Sequence, residues 1–220
     1  QSTGVAACPK HFAVNSQELR RMASDSILDE RTLRELYLTA FEIVVKEAKP
    51  KSIMSSYNKV NSVYANENEH LLLDILRKEW GFEGTVVTDW GGSNDHVQGV
   101  RNGSTLEMPS PGLGVARRLL KAVEDGELSE HILDERVNEM LELALSTTEA
   151  IEKAPRKFDR EAHHQLARRA AAESIVLLKN EDAVLPLKHG KKITLIGDFA
   201  SKPRYQGAGS SMVNPTRVDC

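Results

Sequence analysis

The sequence predicts an α/β fold with parallel strands, and three observations carry that expectation. Short apolar or β-branched runs alternate with longer segments whose apolar residues recur at three- and four-residue steps. Glycines and prolines punctuate the changeovers. The segments between runs are long enough to hold a helix, which parallel pairing with right-handed crossovers needs and antiparallel hairpins do not.

The first run is Gly4-Val-Ala-Ala-Cys-Pro9, which delivers Lys10-His11-Phe12 to its end. Asp29, placed as a cap, opens a helix to about Lys49, with Leu33, Leu36, Tyr37, Ala40, Phe41, Val44 and Val45 expected on one face. Pro50 stops it. Ser52-Ile-Met54-Ser-Ser-Tyr57-Asn58 reads as the next strand with polar residues at its exit, and Glu67 to Lys78 as a helix burying Leu71, Leu72, Ile75 and Leu76. Gly81-Phe-Glu-Gly84 turns the chain into Thr85-Val-Val-Thr-Asp89-Trp90-Gly-Gly92, a glycine-bounded run typical of a buried parallel strand. Residues 99–111 form a loop with Leu106-Glu107-Met108-Pro109 as a further strand end. Helices follow at about Val115 to Asp125 and, behind a Ser129 cap, Glu130 to Leu145.

Periodicity then fades and charge rises, so the domains are placed at 1–146 and 159–220 with a linker over 147–158. In the second part, a helix from about Arg160 to Ala172 precedes apolar runs at Ile175-Val-Leu-Leu178 and Lys192 to Ile196, both read as strands.

Composition narrows the function. The net charge of −3 from 29 basic and 32 acidic residues offers no footprint for nucleic acid or anionic membranes. Apolar runs fall short of the roughly 20 residues that a spanning helix needs. Cys8 and Cys220 do not form a disulfide framework, which makes a reducing, cytoplasmic compartment the default. The chain opens on Gln1-Ser-Thr-Gly4 without a Met or a leader, which leaves a signal peptide further upstream open.

Reactive groups collect at the carboxyl ends of parallel strands, which singles out Lys10-His11, Tyr57 and Asp89-Trp90 as the rim of one mouth. A carboxylate beside a large aromatic and two glycines suits a ligand with an apolar ring face, such as a sugar. The plainer reading has Asp89 capping the next helix or tying down the Gly91-Gly92 turn. Lys10 and His11 supply donors suited to hydroxyl oxygens, and their plainer reading is a core histidine beside a surface lysine. The glycine-rich Gln206-Gly207-Ala-Gly209-Ser210-Ser211 fails as a dinucleotide fingerprint, since Met212 holds the third glycine position and no helix opens directly after Ile196. It reads better as a loop with exposed hydroxyls. His163-His164 and Asp95-His96 lack a third ligand at metal spacing, so no metal is assigned.

Taken in order, these stretches resemble glycoside hydrolase family 3, in its β-glucosidase-like members. The resemblance rests on Lys10-His11-Phe12-Ala-Val-Asn15-Ser-Gln-Glu18, Arg31-Thr-Leu-Arg-Glu-Leu-Tyr37, Met54-Ser-Ser-Tyr57-Asn58-Lys-Val-Asn61, Leu76-Arg-Lys-Glu-Trp80-Gly81-Phe82, Thr88-Asp89-Trp90 and Glu107-Met108-Pro109. It implies the C-terminal part of a (β/α)8-type barrel followed by the start of an α/β sandwich domain. It also implies a retaining hydrolase of β-glucosides or oligosaccharides that uses neither a metal nor an organic cofactor. Asp89 would be the nucleophile, attacking through an oxocarbenium-like transition state. Lys10 and His11 would hold sugar hydroxyls, Tyr57 would lie beside the nucleophile, Met54 and Trp90 would line the −1 subsite, and Ser210 would reach in from the second domain.

Departures are present. Thr105 stands where the family often has Asp, and Ser62 where Gly often follows Val-Asn. The resemblance implies that the early barrel strands and the acid/base region are absent from these residues, whereas retaining chemistry needs two carboxyl groups about 5 Å apart. Glu18 and Glu107 are rival acids within the chain. A partial barrel exposes edges and apolar faces, which points to instability or homo-oligomerisation of such a piece. The rival class is a non-catalytic carbohydrate-binding or scaffold protein that keeps the pocket and not the reaction.

Overall fold

The structure is a computed structural model that describes residues 4–153 and 157–218. Cys220 and part of the expected linker lie outside the described residues. Two compact units divide the chain, Gln1–Phe158 and Asp159–Cys220.

Parallel staves stand side by side in chain order in the first unit. Phe12 bridges Ser55, the Ser52–Met54 strand pairs with Thr85–Val87 in the register Ser52↔Thr85 and Met54↔Val87, and Val87 bridges Leu106. The ladder continues past the strand bounds, with Met54 N donating to Pro9 O at 3.0 Å, Phe12 N to Met54 O at 2.8 Å and Thr88 N to Leu106 O at 2.9 Å. Thr85 enters its strand through Gly84, where an added Cβ would lie 2.5 Å from the Lys51 carbonyl oxygen, so only glycine lets the two entering backbones approach this closely.

Helices pack on these staves. Phe12, Ile53 and Val86 are fully buried and share a core with Leu33, Leu38, Val45, Leu71, Leu72, Ile75 and Leu76. The Phe12 ring meets Phe41 edge-on with centroids 5.2 Å apart and Trp80 at 6.0 Å. The four residues expected to face inward from His70–Glu79 are all buried.

The first helical stretch corrects the sequence expectation. It begins at Glu30 behind the Asp29 cap, whose carboxylate accepts from Thr32 N at 2.8 Å, but its Leu33–Leu38 and Val44–Ala48 segments are wider π-type turns. A π turn closes on the fifth residue, so Leu33 shares its inward face with Leu38. Leu36, counted as core at α-helical spacing, is 73% exposed, and Tyr37 and Ala40 also face outward. Lys49 ends the run with φ of 46°, ahead of the buried Pro50.

A small second sheet follows the Tyr57 exit and has no counterpart in the sequence reading. Asp25–Ser26 pairs parallel with Lys59–Val60, which turns back antiparallel onto Val63–Tyr64. The turn residues Asn61 and Ser62 have φ of 49° and 75°, the left-handed pair of a tight hairpin. Asn61 stitches it to the preceding loop, its side chain exchanging two 3.0 Å hydrogen bonds with the Leu28 backbone.

Leu113–Glu124 and Glu130–Lys153 complete the unit. The latter was expected to end near Leu145, and its tail persists on local interactions: Thr147 Oγ1 donates to Leu143 O at 2.7 Å, and Lys153 pairs with Glu149 one turn away.

The second unit departs further. Its Arg160–Ser174 helix forms behind an Asp159 cap that accepts from Ala162 N at 3.0 Å. The strands expected at 175–178 and 192–196 do not form; Leu178 is 92% exposed and Ile196 89%. An apolar run becomes a strand only where another segment completes its ladder, and among the described residues nothing pairs with either run.

Candidate active site

The strand exits bring four of the expected site residues together. Asp89 leaves the Thr85–Val87 strand with one carboxylate oxygen, Oδ1, accepting from Trp90 N at 2.8 Å. The other oxygen, Oδ2, lies 3.4 Å from His11 Nε2, and the Asp89 side chain is 13% exposed. Tyr57, buried at the neighbouring exit, donates its hydroxyl to Trp90 O at 2.9 Å. Asp89 does not cap the next helix. Asp95 does, accepting from Gln98 N at 3.0 Å.

The turn after Asp89 is held from below. Gly91 adopts φ of 75°, favoured by glycine, and its N–H reaches Met108 O at 3.0 Å, while Gly92 N donates to Asp89 O at 2.9 Å. Thr88 grips the same segment twice: its hydroxyl donates to Met108 O at 3.2 Å and accepts from Met108 N at 2.9 Å. The Glu107-Met108-Pro109 loop therefore serves as the floor under the Asp89–Trp90 turn.

Electrostatics follow from that geometry. Burial pushes His11 below the ordinary imidazole value against the pull of the Asp89 carboxylate, and the Lys10 charge adds to the depression. His11 thus faces Asp89 as a neutral imidazole near neutral pH. Burial, and after it the Asp89 carboxylate, raises the Tyr57 phenol above its usual range, which keeps it a donor. The result is a shielded carboxylate with one oxygen fixed and the other beside a neutral imidazole. Such a group can attack an electrophilic carbon or stabilise developing positive charge.

The remaining expected residues stand as follows. Lys10 is exposed next to His11, Met54 is half-buried at the end of its strand, and Trp90 shows half its surface. Ser210 is exposed on the short Gly209–Ser211 turn of the second unit. Both rival acids already have partners: Glu18 pairs with Arg21 at 2.7 Å, and Glu107 lies 2.8 Å from His96 Nδ1.

Two features escaped the sequence reading. Arg21 lays its guanidinium over the Tyr57 ring, 4.6 Å from the centroid. Behind the strands, Glu139 accepts from Arg77 at 2.9 Å, pairs with Arg136 at 2.9 Å and takes a short hydrogen bond from the Thr105 hydroxyl. Burial pushes the Glu139 carboxyl up and the Arg77 guanidinium down, and their attraction opposes both shifts. Thr105, where an acid was expected, is thus a relay to an acid on the Glu130–Lys153 helix. Glu139 is far away in sequence, and only its place on a helix face could have signalled it.

Among the described residues, no group of three or more His, Cys, Asp or Glu could hold a metal ion, and no helix is long and apolar enough to cross a membrane.

Comparison with known proteins gives a consistent result. Residues 1–143 match the glycosyl hydrolase family 3 N-terminal domain and residues 175–219 its C-terminal domain. Thermostable β-glucosidase B of Acetivibrio thermocellus is 52% identical over 219 residues, covering 100% of this chain and 29% of the relative. An exo-α-(1→6)-L-arabinopyranosidase of Bifidobacterium breve is 44% identical over 99% of this chain and 30% of its own length. Among solved structures, a β-glucosidase of Bifidobacterium adolescentis superposes with a TM-score of 0.82 at 43% identity, over 100% of this chain and 32% of that one. β-Glucosidase 3B of Thermotoga neapolitana in complex with glucose also reaches 0.82, at 42% identity over 98% and 31%. The chain spans about 29% of the first of these curated relatives.

Proposed function

The chain belongs to glycosyl hydrolase family 3, and on that premise we propose that it supplies the nucleophile side of a retaining β-glucosidase active site. In this reading Asp89 attacks the anomeric carbon of a terminal β-linked glucose and the glycosidic oxygen leaves with a proton from a separate acid. Water then hydrolyses the glycosyl-enzyme ester with that acid acting as base. The observation that carries the reading is the Asp89 carboxylate at a strand exit, with Oδ1 fixed by Trp90 N and Oδ2 3.4 Å from His11 Nε2. Held this way, the nucleophile does not have to be reoriented before attack.

Lys10 and His11 donate to sugar hydroxyls, Tyr57 holds the Trp90 backbone beside the nucleophile, and Met54 and Trp90 line the sugar-binding subsite. The second carboxyl group is assigned outside these 220 residues, since Glu18 is engaged by Arg21 and Glu107 by the His96 ring. The arabinopyranosidase-named relative keeps the choice of sugar an experimental variable.

The test is covalent trapping in the whole protein with a 2-deoxy-2-fluoro-β-glucoside, followed by peptide mapping. Label on Asp89 is the expected result, and label on any other residue removes the assignment. A protein that binds glucosides but neither turns over nor accepts label supports the non-catalytic alternative.

A further inference from the structure

Glu67 is a buried carboxylate, 6% exposed, that the proposed reaction does not use. Its Oε1 accepts from Asn94 N and Asp95 N, both at 2.7 Å, on the loop that leaves the Asp89–Trp90 turn. Hydrogen bonds from backbone N–H groups to a carboxylate are charge-assisted and roughly twice as strong as neutral ones. The base of this clamp is anchored in the parallel ladder. Glu67 ends the short Ala65–Glu67 turn, in which Ala65 N donates to Asn58 O at 3.0 Å, and the Glu67 carbonyl accepts from Asn102 Nδ2 at 2.7 Å. Asn66 Oδ1 accepts from the Ser55 and Ser104 hydroxyls at 2.8 and 3.0 Å, and Ser55 N donates to Val87 O at 2.8 Å, on the stave that leads to Asp89.

The segment bearing the nucleophile is thus pinned at two places. Upstream, Thr88 and Met108 grip each other; downstream, Glu67 holds Asn94 and Asp95, and Asp95 then caps the His96–Arg101 helix. Gly91 and Gly92 lie between these points, and without a Cβ they leave many backbone conformations open to a turn held at one end only. Gly92 also packs closely: a Cβ there would lie 3.1 Å from Asp89 O and 3.4 Å from the Tyr57 ring, and its N–H donates to Asp89 O. A shift of the Asn94-Asp95 backbone therefore passes through Gly92 to Asp89. Resting on the proposed glucosidase reading, we propose that Glu67 is a positioning residue for the nucleophile. Its carboxylate fixes the downstream end of the turn, so that the two glycines hold Asp89 in one attacking orientation.

The experiment measures covalent labelling of Asp89 in the whole protein by 2,4-dinitrophenyl 2-deoxy-2-fluoro-β-glucoside. An Asp89 oxygen bonds to C1 as the bond from C1 to the phenolic oxygen breaks, and the dinitrophenolate leaves with the electron pair. That leaving group needs no proton, so the maximal labelling rate reports the nucleophile and not the acid. In Glu67→Ala the rate should fall about 10- to 100-fold, the cost of a slightly displaced reacting group, while the half-saturating concentration changes by less than about threefold. Glu67→Gln keeps an acceptor oxygen at the same reach and should retain most of the rate. Glu67→Asp keeps the charge but withdraws the oxygen by one methylene, and should lose rate; this pair decides the matter if Glu67→Ala does not fold. Ile75→Ala, a core truncation on the His70–Glu79 helix, should lower stability and leave the labelling rate unchanged. An unchanged maximal rate in Glu67→Asp, or an equal loss in Ile75→Ala, would mean that Glu67 serves stability alone and would overturn the proposal. A wild-type protein that neither takes label nor cleaves β-glucosides would instead overturn the glucosidase reading and remove the proposal with it.

Discussion

The two units treat the same kind of sequence differently. In the first, Ser52–Met54 and Thr85–Val87 are short apolar runs that find neighbours on both sides and bury Ile53 and Val86 completely. In the second, Ile175 to Leu178 and Lys192 to Ile196 are just as apolar and yet, among the described residues, remain unpaired and exposed. Apolar runs therefore specify what can be buried, and the partner ladder decides whether burial happens. Among its described residues the second unit keeps the capped Arg160–Ser174 helix and short turns, with Arg217 reaching back to Glu161 at 3.3 Å.

The largest effect should come from the buried charge cluster behind the strands. Glu139→Ala leaves Arg77 and Arg136 without their shared carboxylate and should destabilise the first unit by about 3–5 kcal/mol in urea unfolding. A loss below about 1 kcal/mol would show that the cluster is solvated and the unit less tightly packed than described.

Next comes a matched pair of truncations. Ile75→Ala, at a fully buried position, should cost about 2–5 kcal/mol. Leu195→Ala, at an exposed position of the second unit, should change stability by no more than about 0.5 kcal/mol. Similar costs at the two sites would abolish the contrast.

Smaller still is the hairpin turn. Ser62 adopts φ of 75°, where a Cβ is disfavoured, so Ser62→Gly should stabilise the first unit by about 0.4–1 kcal/mol, seen as a raised denaturation midpoint.

The smallest effect is a pH slope. The folded-state value of His11 is lowered from 6.5, so the unfolded chain binds its proton first as pH falls. Its contribution is level above about 6.5, and stability drops as pH moves below that toward the folded value. His11→Gln should flatten the slope in that window, though partial exposure keeps it shallow.

Much of the first unit was legible because local signals and tertiary environment agree there. Pro50, Gly84 and the face Leu71, Leu72, Ile75 and Leu76 each mean locally what they mean in the fold. The Leu33–Leu38 turn was misread because its apolar spacing fits either helix type when only one face is counted. The Asn61-Ser62 hairpin went unseen for want of the glycine that usually marks it.

The site divides along the same line. Asp89, His11, Tyr57 and Trp90 could be grouped because parallel strands release their ends on one side. Arg21 and Glu139 could not, because a loop and a distant helix deliver them, and no periodicity in the chain links Arg21 to Tyr57 or Glu139 to Arg77.

The staves that carry Phe12, Ile53, Val86 and Leu106 stand in chain order, each followed by its own excursion. Each wall of the site is therefore carried by its own continuous stretch of chain. Exchanging the stretch between Pro50 and Gly84 with that of a relative would swap the Tyr57 wall while leaving the segments that bear His11 and Asp89 untouched.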